Sequence, residues 1–415
     1  MLIRIHSLLM FIMFGVVVWV GPNTTSAQDS AAEFHEILCE KTASEAADLA
    51  ALDQGQPVVK LVPAQDKREV AVCGVEKLQV SAEVFLESFR ESMVRKTNPA
   101  ILEIGSFSST PTLDDLQSLS IEERDIEDLK DCVVGNCKLK LSAMMIERLH
   151  HEVDWHAPDY WLRATQLLKS MLVDYVRDYL ARGDAALIEY NDKPTEVRLA
   201  DEQRSLMAAL TYFNGVRAVP PQYPKNPSSP ESHVVGNRIV WSKIKYGLKP
   251  VTAINHIIIY QREEKTGPQI VVVSKQLYAN HYFDSSVALT VFGNLPNASS
   301  GSYLFYENRS RVDGLNGPFG RIERGIVENK AMDGLKTILE QLKLILNARR
   351  LSQTESASAP HVKRSWSRWT VRSIYLFLWL FFIAAFIALL KRVRNRRWHE
   401  PAHQLRLRNR SITES

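Results

Sequence analysis

Hydrophobic and polar residues alternate in short runs through the first third of the chain. The segments 57–63 and 69–80 are rich in valine and are bounded by charged and turn residues, which predicts two β-strands. Ser81 is a good helix cap, and the apolar residues after it recur every three or four positions. Residues 100–108 return to a strand pattern, so a helix is predicted between strands.

The middle of the chain has a helical pattern. Apolar residues between Trp161 and Tyr179 recur at three- and four-residue intervals, and Gly183 is expected to end that helix. A second helix is predicted over 201–212. The five prolines within 217–233 then favour an irregular or polyproline-like segment, either a covering loop or a partner-binding stretch.

The sequence after Pro250 is β-rich. Runs at 253–262, 269–278, 285–292 and 302–307 are separated by polar turns, as in an antiparallel meander. A long amphipathic helix is predicted from Ile326 to Ala348. Its apolar stripe needs a large partner surface, and the sheet is the expected one.

This order of elements resembles the START-like helix-grip fold, over 57–130 and 250–348. The resemblance implies an α+β domain whose antiparallel sheet grips the long C-terminal helix and encloses a cavity for a lipid or another hydrophobic ligand. The helical block would be an insertion. The predicted segments are 28–130 (first part of the domain), 131–249 (helical insertion ending in the Pro-rich segment) and 250–350 (second part with the long helix).

The cavity candidates are apolar positions that alternate along the meander. Plain core packing explains them equally well. They are Ile258, Tyr260, Val271, Val273, Leu289, Val291, Tyr303 and Phe305.

Both ends of the chain carry membrane-directed sequences. The first 27 residues have a basic start, an apolar run and small residues that end at Ala27. This pattern predicts a signal peptide over 1–27, which is cleaved after Ala27 or retained as an anchor. Residues 373–390 contain no charge and predict a transmembrane helix, preceded by a linker (351–372) and followed by a basic cytoplasmic tail (391–415). The sequence therefore predicts a single-pass protein of the cell membrane with its bulk periplasmic or extracellular. In these respects it resembles bacterial exported, membrane-anchored proteins.

The basic isoelectric point comes from the membrane flanks. Although the whole chain carries +4, the basic tail alone contributes +6, and residues 28–362 carry about −7. This charge distribution gives no support to a nucleic-acid partner.

Four cysteines, Cys39, Cys73, Cys132 and Cys137, all lie in the predicted exported part. An oxidising compartment favours two disulfides. Cys132 and Cys137 could close a small loop through a Gly-Asn turn, which leaves Cys39 with Cys73, although four cysteines allow three pairings. A zinc site is the weaker alternative, because no neighbouring histidine completes a ligand set.

Two polar clusters are candidate chemical sites. His281 and Asp284 lie at a predicted strand-to-strand turn and could form an acid–base pair, although a local turn hydrogen bond is favoured. His150 and Asp154 are four residues apart on one helix face and could bind a metal, although a solvated helix end is favoured. The common hydrolase, nucleotide and zinc-protease motifs are absent from the sequence, and no cofactor is expected.

Three functions follow as hypotheses. The first is a membrane-tethered extracytoplasmic protein that binds a lipid-like or other hydrophobic ligand. The second is an envelope assembly protein that binds a partner through the helical insertion and the Pro-rich segment. The third is an enzyme that uses His281 with Asp284 or His150 with Asp154.

Overall fold

A computed structural model describes residues 45–64, 66–93, 101–210, 233–245, 249–264, 267–294, 301–316 and 320–358. The chain folds as α+β, with a large antiparallel sheet and several helices. The helices are α1 (Glu45–Asp53), α2 (Ala82–Ser92), α3 (Glu123–Leu129), α4 (Ala143–Glu152), α5 (Tyr160–Arg182), α6 (Leu199–Ala209) and α7 (Gly320–Ser358). The strands are β1 (Val58–Leu61), β2 (Glu69–Leu78), β3 (Ile101–Ser106), β4 (Glu189–Tyr190), β5 (Val197–Arg198), β6 (Val234–Lys245), β7 (Pro250–Glu264), β8 (Gly267–Ala279), β9 (Phe283–Asn294) and β10 (Ser302–Val312).

Among the described residues, the main sheet has eight strands in the order β1-β2-β10-β9-β8-β7-β6-β3, and β4 pairs with β5 separately. Every neighbouring pair in the main sheet is antiparallel. The last five strands form a meander, of which the final four, β7 to β10, correspond to the predicted runs, and β2 pairs with the final strand of that meander. The prediction of a large antiparallel sheet in an α+β fold is confirmed.

Helices α2 and α7 cover one face of the sheet. The side chain of Ser81 accepts a hydrogen bond from the backbone amide of Val84, so it caps α2 as the sequence predicts. Phe85 of α2 stacks on Phe292 of β9, with ring centroids 4.4 Å apart. The buried stripe of α7, from Val327 to Leu346, packs with this same cluster. The apolar spacing of α7 therefore finds the partner that the sequence required.

The helical block covers the opposite face. Its core begins at Phe107, continues through α3, α4 and α5, and contacts Trp241, Ile254 and Leu277 of the sheet. Gly183 ends α5 with a φ of +62°, a conformation that glycine adopts without strain. The molecule thus has helices on both faces of the sheet. This explains why the central strands are apolar on both sides.

Three predicted boundaries were wrong. The helical insertion does not extend over all of 131–249, because residues 234–245 form β6, which pairs with β7 and β3. The helical layer also starts before residue 131, at Phe107. Finally, α7 runs from Gly320 to Ser358 and so includes the start of the predicted linker. No glycine or proline interrupts 349–358, so this sequence contains no helix breaker.

Several predictions fall outside the described residues. They include the signal peptide over 1–27, the Pro-rich stretch up to residue 232, the span over 373–390 and the basic tail. Within the described ranges, no helix has the length and apolar character needed to cross a membrane.

Candidate functional site

The eight apolar cavity candidates share one face of the sheet, as their alternation predicts. Strand register places Tyr260, Val271, Val291 and Phe305 in one cross-strand row, and Ile258, Val273 and Leu289 in the next. Together with Tyr303 they form a buried cluster with Leu206, Met207 and Leu210 from the region of α6. This face is the one opposite α7. The candidates therefore pack beneath the helical layer and not beneath the long terminal helix.

Helix α7 lies directly against the sheet at Gly74 of β2. A Cβ atom at this glycine would lie 2.7 Å from Leu339 Cδ1 and 2.8 Å from Leu335 Cδ2. Such distances are shorter than real carbon–carbon contacts allow. Gly74 therefore permits a close helix–sheet approach, and the two leucines fill the space over β2.

His281 does not pair with Asp284. Its Nε2 atom donates to Asp125 of α3, 3.0 Å from one carboxylate oxygen and 3.1 Å from the other. The Lys249 ammonium lies 2.8 Å from the same carboxylate. Although burial opposes it, hydrogen bonding and charge from His281 and Lys249 hold the pKa of Asp125 below its usual value. His281 and Asp125 are both buried, and their contact joins the helical layer to the sheet.

Asp284 belongs to a second buried ion network. Its carboxylate accepts from Lys140, at 2.7 Å, and from Arg68, at 3.0 Å. Lys140 also faces Asp192 and Asp313, at 3.6 and 3.3 Å. Asp284 and Lys140 are each almost completely buried. The predicted His281–Asp284 acid–base pair is wrong, since the two side chains have separate partners in the helical layer.

His150 and Asp154 are not a ligand pair either. The Nε2 atom of His150 bonds to the backbone carbonyl of Cys132, and Asp154 is exposed and accepts from the amide of His156 at 3.0 Å. Helix α4 ends at Glu152, so the expected one-face alignment is lost. Within the described residues, no group of three or more His, Cys, Asp or Glu side chains has metal-binding geometry.

The cysteine pairing is confirmed in part. Cys132 and Cys137 form a disulfide that closes the small predicted loop. Cys73 is a buried thiol of β2 without a disulfide to any described residue, and burial raises its pKa to about 12. Cys39 lies outside the described residues, and its pairing with Cys73 stays a prediction.

A groove of about 670 Å³ lies between α6, β8 and the 3₁₀ turn Gly183–Ala186. This volume is typical of small-molecule sites. Its apolar lining consists of Ala185, Leu187, Ala200, Met207 and Ala208. Charged side chains at the groove are Asp184, Glu189, Arg198, Asp201, Arg204 and Lys275.

The outer charges of the groove neutralise one another. Arg204 bonds to Asp201 at 2.8 Å, and Arg198 lies 3.5 Å from Glu189. All four side chains are exposed, so these pairs are weak. The rim therefore presents little net charge to a ligand.

Lys275 is the charge at the bottom of the groove. It lies on β8, its side chain is only 2% exposed, and its ammonium lies 5.3 Å from the centre of the Tyr179 ring. Its ion-pair partner is Asp184, whose side chain is 34% exposed. Burial lowers the pKa of Lys275, and the Asp184 carboxylate opposes that shift only in part. A buried cation is thus held in the groove by a partner that solvent reaches.

Gln203 of α6 adds a buried hydrogen-bond acceptor to the same wall. The residue is 4% exposed, and its Nε2 group donates to the carbonyl of Gln276, next to Lys275. Its Oε1 atom accepts no hydrogen bond from the described residues. Buried acceptors are usually paired, so an unpaired one in a residue that lines the groove is a candidate acceptor for a ligand donor.

Sequence reasoning missed this groove, although one signal was present. Lys275 alternates in phase with Val271 and Val273, so a charged residue lies on a face that the pattern predicts to be buried. Asp184 and Gln203 come from the helical block, and only the fold brings them to β8. No known protein family, curated protein sequence or solved structure matches this chain.

Proposed function

We propose that this protein is a membrane-tethered extracytoplasmic binding protein for a small amphipathic anion, which it holds in the groove beside Lys275. The observation that carries the proposal is the composition of the groove. Five apolar side chains line it, and one buried cation lies at its bottom. A ligand with an apolar body and one acidic head matches both features.

Ion-pair exchange explains why the head would be anionic. The Lys275 ammonium is buried, so its charged form is stable only beside a negative partner. Asp184 fills that role from a position that is one third exposed. A ligand carboxylate can replace Asp184, which then returns to solvent at small cost. The exchange keeps the buried charge paired in both states.

The helix-grip architecture stays part of the proposal, but the ligand is placed elsewhere. In a START-like protein the cavity would lie between the sheet and the terminal helix. Leu335 and Leu339 occupy the contact over Gly74, and the eight cavity candidates lie on the other face. These facts favour the groove on the α6 side. Export and membrane attachment rest on the sequences of 1–27 and 373–390.

The test is octanoate binding to the full chain in lipid nanodiscs, measured calorimetrically with empty nanodiscs subtracted. The expected result is saturable binding that falls at least tenfold in Lys275→Met, because the buried ion pair is lost. Lys193→Met is the matched control, since this lysine is half-exposed and pairs with Asp313 at 2.8 Å.

A groove-filling variant guards against misfolding of the lysine variant. Ala208 is exposed at the groove, so Ala208→Trp is expected to fold normally and to block binding. Octanoate affinity unchanged in both Ala208→Trp and Lys275→Met would refute the proposal.

A second candidate function, envelope assembly, is favoured by exposed apolar side chains on the helical layer. Val133 and Val134 of the disulfide loop are each 50% exposed, and Trp161 at the start of α5 is 55% exposed. Exposed apolar groups of this kind are common at protein interfaces. Crosslinking of the full chain in its native membrane tests this role: a partner lost in Trp161→Asp supports it, and recovery of the monomer alone opposes it.

A further inference from the structure

Two buried polar groups line the same groove, and they differ in kind. Lys275 supplies a cationic donor, and Gln203 supplies an acceptor. The Gln203 side chain is fixed by its bond to the carbonyl of Gln276, the residue after Lys275. The amide of Gln203 is therefore anchored to the backbone of β8, the strand that carries Lys275. Both residues line the same groove, so a ligand head paired with Lys275 has this acceptor in the same lining.

A simple fatty acid satisfies only one of these groups. Its carboxylate can pair with Lys275, but its ionised head has no donor for Gln203. A buried acceptor that stays unpaired in the complex costs binding energy. A head that satisfies both groups combines a carboxylate with a hydrogen-bond donor close to it.

We propose that the ligand is a carboxylate whose α-carbon carries an amide N–H, as in a peptide C-terminus or an N-acyl amino acid. The carboxylate pairs with Lys275, the N–H donates to Gln203 Oε1, and the apolar body lies against Leu187 and Met207. This inference rests on the proposed function and specifies the ligand class for the same groove. The balanced charges of the rim suit a ligand whose charge is confined to its end.

The test compares two probes that differ in one atom group. N-Octanoylglycine has the amide N–H, and O-octanoylglycolate has an ester oxygen in its place. Both are titrated into the full chain in nanodiscs. The amide is expected to bind about tenfold more tightly, which is the usual effect of one hydrogen bond to a buried group. In Gln203→Met, which keeps the side-chain length but has no acceptor, the two affinities are expected to be equal.

A third probe separates the two sources of this head group. A short acetylated, alanine-rich peptide that ends in glycine is titrated with a free and with an amidated C-terminus. Tighter binding of the free peptide than of N-octanoylglycine assigns the groove to peptide ends, and the reverse order assigns it to N-acyl amino acids. Either order supports the inference when amidation abolishes binding.

The possible failures are distinguishable. Equal binding of the amide and the ester to the wild-type chain overturns the amide inference and leaves the anion-binding function standing. A preference for the amide that persists in Gln203→Met overturns the role of Gln203. Absence of binding by octanoate and by both probes removes the proposed function itself.

Discussion

Asp125 of α3 holds His281, on the turn between β8 and β9, across 156 residues of sequence, with His281 Nε2 3.0 Å from the carboxylate. The next residue, Tyr282, has a φ of +61°, which is unusual for a residue with a side chain. The amide of Phe283 bonds to the carbonyl of His281 at 2.7 Å and closes this tight turn. The helical layer is therefore hydrogen-bonded to the sheet at a strained turn.

Removal of the Asp125 charge is expected to destabilise the protein strongly. Asp125→Asn keeps the shape but leaves His281 without its buried anion and Lys249 with Asp128 alone, and loss of one partner of a buried pair typically costs about 3 kcal/mol. The free energy of unfolding in urea measures the effect. Asp154→Asn, an exposed carboxylate in the same helical layer, is the control and should change little. Equal stabilities of the two variants would show that the Asp125 pair contributes nothing.

Acid is expected to destabilise the protein through His256. This residue is buried on β7, where its Nδ1 lies 2.8 Å from Tyr179 Oη and its Nε2 2.8 Å from Asn237 Oδ1. Burial, with a smaller effect of the Lys275 charge, lowers the pKa of His256 well below its usual value.

The sign of the effect follows from proton uptake. Below about pH 6.5 the unfolded chain binds a proton at this residue and the folded chain does not, so stability falls as the pH falls. The Tm of the wild type should therefore drop more between about pH 7.5 and pH 5.5 than that of His256→Gln. Parallel pH profiles of the two proteins would contradict this expectation.

A side chain at Gly74 is expected to push α7 away from the sheet. Gly74→Ala places a methyl group against Leu335 and Leu339, which should cost about 2 kcal/mol by overpacking. Gly293→Ala is the matched control on β9, where the nearest atom would lie at an ordinary 3.5 Å. The free energy of unfolding is measured for both variants, and Gly74→Ala is expected to lose more of it than Gly293→Ala. A neutral Gly74→Ala would mean that space exists under the long helix after all.

Glu202 is expected to position the wall of the groove without contacting the ligand. Its carboxylate accepts hydrogen bonds from Arg68 at 3.0 Å and also from Arg311. Glu202 therefore connects α6 to the start of β2 and the end of β10. Glu202→Gln should weaken octanoate binding several-fold and lower stability by about 1 kcal/mol. Asp159→Asn, which removes an exposed pair with Arg163, should change neither value. Stability that falls while affinity stays constant would separate α6 from the site.

The sequence predicts the local elements of this fold better than its layers. Strand alternation identifies β7 to β10, and the shared face of the eight cavity candidates follows from it. Which helix covers that face depends on the path of the chain, and α6 is separated from β10 by the whole meander. The partners of His281 and Asp284 lie more than 140 residues away in sequence, so no local spacing predicts them.

The location of the ligand is measured by photocrosslinking. An octanoate analogue with a diazirine near its tail is irradiated with the full chain in nanodiscs, and the labelled peptides are identified by mass spectrometry. The groove predicts labels at Leu187, Ala200 or Met207 that excess octanoate removes and that Lys275→Met abolishes. Labels on α2 or on the long helix α7 would contradict the placement of the site and favour a helix-grip cavity.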